Sequence, residues 1–223
     1  MPRAKRDDFP GARHHVMNRG VRHGAIFYSD HHCIRFLELL EAAVERFGIR
    51  LVAYVLMGNH YHLLLESVRG NLSAAMKMIS QEYTQFVNQS PGWEGPVFRG
   101  RFKSKLVIDD GHWHHLPMYM HLNPVRARMV THASQYTWSS QTAYSGETNP
   151  PAWLDTGDLM DGYGGPAEYN ELLEEVVQGR QPAPEEFSQR ARRSVCEGID
   201  TARAGQRRQS RAVPGSLVAG FWS

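Results

Sequence analysis

Two cysteines, Cys33 and Cys196, are all that 223 residues contain. They lie far apart and match no ligand spacing, which excludes a disulfide framework and favours a reducing compartment. Long apolar runs are missing too. The longest, 51–57 and 63–65, fall far short of the roughly 20 residues a membrane helix needs. The opening Met1-Pro-Arg-Ala-Lys-Arg is basic with no apolar stretch behind it, so the expectation is no signal peptide and a cytoplasmic location. Basic residues are scarce in one region only: residues 131–185 hold 1 Lys/Arg against 9 Asp/Glu, and no histidine follows residue 132. There is no internal repeat.

What is present is concentrated near the N-terminus. Residues 1–130 carry 17 Lys/Arg against 11 Asp/Glu and 11 of the 12 histidines, the twelfth being His132, and residues 186–223 are basic again with 7 against 3. A basic, histidine-bearing first part fits a polyanionic partner such as nucleic acid, and equally a solvated surface. The 41% hydrophobic content is enough for a packed core.

Residues 13–19 read as a strand broken by Gly20. Asp30 reads as the N-cap of a helix carrying Ile34, Leu37, Leu40, Ala43, Val44 and Phe47 at helical spacing, closed by Gly48. Two apolar runs, 50–57 and 60–66, flank Gly58-Asn59 and predict a β-hairpin. A second helix starts at Asn71 or Ser73 and ends by Pro91-Gly92. A strand or extended loop covers "GPVFRGRFKSKLVID", and a third helix runs from about 110 to 122, stopped by Asn123-Pro124. The order β–α–β–β–α–β–α predicts an α+β fold, a ferredoxin-like antiparallel sheet with helices packed on one face, plus a small helical C-terminal extension. Three units are expected: 1–130 as the working domain, 131–180 as an acidic, mostly helical extension split at Gly164-Gly165-Pro166, and 181–223 as a disordered basic tail.

On a strand, His60 and His62 share a face and lie ~7 Å apart along the backbone. The pair fits a half-site for Mg²⁺, Mn²⁺ or Zn²⁺, and equally a structural pair. On the third helix Tyr119 and Asn123 stand at i, i+4. The Asn123 carbonyl oxygen suits a hard cation, and Tyr119 fits either a packing residue or a nucleophile attacking a metal-polarised phosphate. Arg99, Arg101, Lys103 and Lys105 alternate with smaller or apolar residues, so an extended chain puts all four on one face. That stripe suits a phosphate backbone, with Phe98 and Phe102 available to stack on bases, and it also suits a basic edge strand over buried aromatics.

Several stretches together resemble one family: "GARHHVMNRG" (11–20), "FLELLEAAVERFG" (36–48), "AYVLMGNHYHLLLE" (53–66), "GNLSAAMKMISQEYTQFVNQ" (70–89), "VFRGRFKSKLV" (97–107), "MHLNPVRARMV" (120–130) and "WSS" (138–140). In that order they resemble the REP-associated tyrosine transposases, relatives of the IS200-like single-strand transposases of the HUH class. The resemblance covers about residues 11–180. It implies the HUH fold and a metal-dependent nicking and joining enzyme acting on single-stranded hairpin DNA in palindromic repeats. His60, His62 and Asn123 are implied as ligands of Mg²⁺ or Mn²⁺, and Tyr119 as the nucleophile that forms a 5′-phosphotyrosine and frees a 3′-OH. No nucleotide cofactor and no membrane are implied, and the chain is expected as a monomer or homodimer. With this family the basic stripe reads as DNA-binding, joined by Arg13, Arg19 and Arg126.

Three features depart from the family's pattern. Pro117 lies two residues before Tyr119, so either the helix begins near it or the tyrosine is held at an unusual angle. Histidines at 112, 114, 115 and 121 exceed expectation. Arg128 stands where a glycine is common. Pro117 leans toward the alternative, a non-catalytic, domesticated hairpin-DNA-binding protein. A metallohydrolase barrel is discounted, because it needs eight strand–helix repeats.

Overall fold

The computed structural model describes residues 7–89 and 92–180; the expected tail, 181–223, lies outside them. Four strands, β1 (Ala12–Arg19), β2 (Ile49–Met57), β3 (His60–Ser67) and β4 (Lys103–Leu106), form one antiparallel sheet in the order β2-β3-β1-β4. Helix α1 (Asp30–Phe47) joins β1 to β2, and α2 (Leu72–Asn88) joins β3 to β4. This is the ferredoxin-like arrangement that the element order predicts. Boundaries differ by small amounts. Ser29, not Asp30, is the N-cap of α1, while Gly48 closes it in the left-handed conformation (φ 64°), its N–H bonding Val44 O at 3.0 Å. β4 occupies only four residues of the long basic stretch.

Alternation along the strands sorts the side chains. Val16, Leu56, Tyr61, Leu63 and Leu65 pack with Phe36, Leu39, Leu40, Met76, Ile79 and Tyr83 of α1 and α2. Helices are not confined to that face. The opposite face buries Val52, Ala53, Val55, Met57 and Leu64 under α3 (Asp110–His121) and, behind it, α5 (Gln141–Tyr144), α6 (Gly157–Tyr163) and α7 (Pro166–Val177). Strand β2 is apolar on both faces, which requires cover on both. A bulge between Leu51 and Ala53 puts the neighbours Val52 and Ala53 on the same side.

The segment after residue 130 is tied to the sheet directly. Trp138 O accepts from Leu56 N, Ser140 N donates to Tyr54 O, and Ser140 Oγ accepts from Tyr54 N, so 138–140 runs beside β2. Arg50 on β2 pairs with Glu66 on β3 and with Asp158 on α6.

Helix α3 begins at Asp110, capped by Asp109, whose Oδ1 accepts from His112 N at 2.7 Å. It continues through Pro117 rather than starting there. It ends at His121, and Asn123 opens a separate short helix, α4 (Asn123–Arg126), because Pro124 cannot donate to the ladder. Leu122 N and Arg126 N still bond Met118 O and Leu122 O, so the two helices follow each other closely.

Candidate functional site

The β2–β3 turn is pinned from outside. Gly58 O accepts from Ile26 N and Phe27 N, and Asn59 O accepts from Gly20 N. Gly20 is confined there, since a Cβ would meet Gly24 O at 2.1 Å. His60 and His62 leave this fixed tip on one side of β3, opposite Arg19 and Met17 of β1, with ring centroids 5.2 Å apart. Both line a cavity of about 640 Å³, also lined by Arg19, His23, Arg99, Arg101 and Lys103. The hairpin histidines and four of the seven expected DNA-contacting cations therefore share one space.

The two imidazoles have their inner nitrogens occupied. His60 Nδ1 donates to Asn59 Oδ1 at 2.6 Å, and His62 Nδ1 lies 2.9 Å from Nε2 of His15, whose ring stacks on it at 5.1 Å. Burial, with His15 and His60 nearby, pushes His62 down to about 3. Burial lowers His60 as well, helped by Arg19. Burial, Lys105 and His112 take His15 down to about 4. All three rings are neutral at pH 7, as a metal ligand requires. No three His, Cys, Asp or Glu side chains form a metal cage among the described residues, so the pair is a two-nitrogen set that needs a third donor of another kind. Neutral imidazoles with free outer nitrogens fit a divalent ion that accepts mixed nitrogen and oxygen ligands.

The remaining expected residues lie elsewhere. Tyr119 is on α3, 41% exposed, with the Arg126 guanidinium 4.8 Å above its ring. Asn123, half-buried, opens α4. Neither lines the cavity, and no hydrogen bond or ring contact joins either to the histidine pair among the described residues. Arg13 is engaged by Asp110 at 2.5 Å and lies over Trp113. Lys105 is exposed, directly opposite His15 in the register. Phe98 and Phe102 are both buried, Phe98 against Tyr83 and Tyr61, so they serve the interior under a basic edge rather than standing free to stack on bases.

Exposure separates the tyrosines. Of nine, only Tyr28 and Tyr119 are exposed. Tyr54, Tyr61 and Tyr83 are buried, and burial raises all three above the ordinary phenol range, Tyr54 to about 12. His15, Asn18 and His23 went unnoticed in the sequence. Strand parity alone places His15, Met17 and Arg19 on one face, but only the β1–β3 register shows that this face is the one His62 uses.

The sequence model of the family described as "Transposase IS200 like" matches residues 10–119. No protein of curated function matches the chain. A solved REP-associated tyrosine transposase, bound to a REP hairpin, is similar with a TM-score of 0.57 and 15% identity, over 71% of this chain and 93% of that one. A proposed transposase of Deinococcus radiodurans R1 gives a TM-score of 0.38 and 14% identity, over 53% and 95%. The sheet order agrees with the fold of the solved transposase, and residues 10–119, which carry the paired hairpin histidines and run as far as Tyr119, match the IS200-like transposase family.

Proposed function

We propose that this protein is a metal-dependent single-strand endonuclease and strand transferase acting on hairpin DNA of palindromic repeats. The observation that carries the reading is the cavity in which His60 and His62 face Arg19, Arg99, Arg101 and Lys103. His60 and His62 would hold Mg²⁺ or Mn²⁺ through their outer nitrogens, with the Asn123 amide oxygen as third donor. Such an ion, when bound, polarises the scissile phosphate and offsets the charge that develops on it. The four cations hold the strand's phosphates and fix its path across the histidines.

Tyr119 is the nucleophile. Its phenol oxygen bonds to phosphorus, the P–O3′ bond breaks, and the phenol proton passes through solvent to the departing 3′ oxygen. The products are a 5′-phosphotyrosine and a free 3′-OH. Attack by a 3′-OH reverses the step and joins strands, so no nucleotide cofactor is consumed. Tyr119 does not line the cavity, so attack requires its phenol oxygen and the histidine-held ion to meet on the same phosphate.

The test incubates hairpin DNA with Mg²⁺ or Mn²⁺ and looks for a covalent protein–DNA adduct on a denaturing gel. Wild type is expected to form it. Tyr119→Phe is expected to lose it and keep hairpin binding within about twofold, because one hydroxyl among many phosphate contacts contributes little to affinity. An adduct that survives in Tyr119→Phe rejects the assignment. Hairpin binding by wild type with no adduct under either ion would leave the non-catalytic binder as the reading.

A further inference from the structure

His15 makes a close side-chain contact to His62, 2.9 Å between ring nitrogens, and nothing in the reaction proposed above uses it. It sits on β1, diagonal to His62 across the β1–β3 register, where Met17 is directly opposite His62. Its Nε2 is 2.9 Å from His62 Nδ1, and the rings stack with 30° between their planes. His15 is only 7% exposed, so water cannot readily replace it as a partner.

A hydrogen bond between two neutral imidazoles contains a single proton and admits two arrangements. In one, His62 Nδ1–H donates to His15 Nε2, and His62 Nε2 carries a lone pair toward the cavity. In the other, His15 Nε2–H donates to His62 Nδ1. The His62 proton then sits on Nε2, and the outward nitrogen cannot bind a cation. Two observations select the first arrangement. The cavity is lined by Arg19, Arg99, Arg101 and Lys103, and that positive field favours lone pairs over N–H bonds pointing into it. His60 is already set the same way, because Asn59 Oδ1 can only accept, so His60 Nδ1 holds the proton and its Nε2 the lone pair.

We propose that His15 is the positioning residue of the site: its Nε2 accepts the His62 Nδ1–H and so fixes His62 in the tautomer whose Nε2 faces the cavity. The consequence for metal affinity rests on the reading of His60 and His62 as ligands; the tautomer itself does not. The role is that of a hydrogen-bond acceptor behind a ligand, which sets ring orientation and ligand basicity. It requires only an acceptor at the Nε2 position. Gln supplies one, because its Oε1 reaches about as far from the backbone as an imidazole Nε2, and Leu does not.

The experiment has two readouts on the full chain. Long-range ¹H–¹⁵N spectra of metal-free wild type report the tautomer of each histidine. His62 is expected with the proton on Nδ1; a proton on Nε2 overturns the proposal, whatever the metal result. Mn²⁺ binding is then measured by calorimetry on wild type, His15→Leu and His15→Gln. Leu is expected to weaken Mn²⁺ binding by about 10–100-fold, the usual cost of losing such a partner. Gln is expected to stay within about threefold of wild type, since the acceptor is retained. Where wild type binds Mn²⁺, equal binding by Leu, or Gln as weak as Leu, overturns the proposal. Wild type that shows the Nδ1–H tautomer of His62 but binds no Mn²⁺ upholds the role of His15 and rejects His60 and His62 as ligands. If the Leu variant fails to fold, the wild-type spectrum and the Gln variant decide.

Discussion

Replacing Arg128 by glycine is expected to stabilise the protein, and the reason lies just behind the candidate site. Helix α4 ends in a hydrogen-bond pair that defines a left-handed cap: Met129 N bonds Pro124 O and Arg128 N bonds Val125 O, both at 2.9 Å. The residue at the turn of that cap must have positive φ, and Arg128 does, at 58°. For an L-residue this conformation costs roughly 1–2 kcal/mol, which glycine avoids. Glycine gives back about 0.5–1 kcal/mol, because its unfolded chain is more flexible. The Arg128 side chain is exposed and makes no hydrogen bond or ion pair among the described residues, so little is lost with it. The expected net gain is about 0.5–1 kcal/mol, or ~1–4 °C in Tm for a chain of this size.

Urea unfolding of wild type, Arg128→Gly and Arg128→Ala separates backbone from side chain. Alanine keeps the strain and removes the side chain, so it is expected within about 0.5 kcal/mol of wild type. Glycine is expected to raise the midpoint without changing the slope. A glycine variant no more stable than the alanine variant would refute the strain argument. The glycine common at this position in the family then has a physical reason: it is the cap that holds the segment carrying Asn123 and Arg126.

Two more expectations concern charge. His121 is fully buried between Tyr169 OH at 2.6 Å and Ser140 Oγ at 2.7 Å, and burial lowers its pKa to about 3 from an ordinary 6.5. Its folded value is the depressed one, so the unfolded chain binds the proton more readily. The stabilisation is intact above about pH 6.5 and is lost as pH falls, by ~2 kcal/mol between pH 7 and pH 5 for this one group. Denaturant unfolding of wild type at the two pH values is expected to show that excess loss relative to His121→Gln; equal losses would contradict it. Removing Arg101 and Lys103 together is expected to reduce the steepness of log affinity against log salt for single-stranded DNA by about 1.4, from two phosphate contacts at ~0.7 each. Fluorescence anisotropy over a salt series reads this, and an unchanged slope removes both residues from the DNA path.

Much of the frame could be read in advance because its signals are local. The β2–β3 hairpin follows from two apolar runs around Gly58-Asn59, and α1 from helical spacing closed by Gly48. What could not be read depends on contacts between distant segments. Helix α3 buries Trp113, Leu116, Pro117, Met118, Met120 and His121, more than one stripe, so its sequence does not announce which side meets the sheet. The cover on the second face of β2 and β3 comes from α3 together with residues 133–176, whose acidic composition suggests surface rather than core. Phe98 and Phe102 alternate with basic residues in a pattern that fits stacking on bases. Only the position of α2 and Tyr83 behind them shows that they complete the interior. His15 was hidden in a His-His doublet, where parity relative to His62 is a property of strand register.

The same distant contacts bear on whether Pro117 disables the site. A proline inside a helix removes one hydrogen bond and crowds the carbonyl four residues back. Yet α3 runs unbroken from Asp110 to His121, because its proline-containing turns are held from the far side. The Tyr163 hydroxyl donates to the His114 carbonyl, Gly162 of α6 packs so closely that a Cβ there would meet His114 Nε2 at 2.1 Å, and His121 is clamped between Tyr169 and Ser140. The exposed stripe of α3, with Tyr119 under Arg126, is the side these contacts leave free. Residues 131–180 thus set the orientation of the helix that carries the proposed nucleophile. They contribute nothing to the lining of the histidine cavity, whose residues run from Met17 to Lys103. That division of labour makes the acidic segment the brace behind α3.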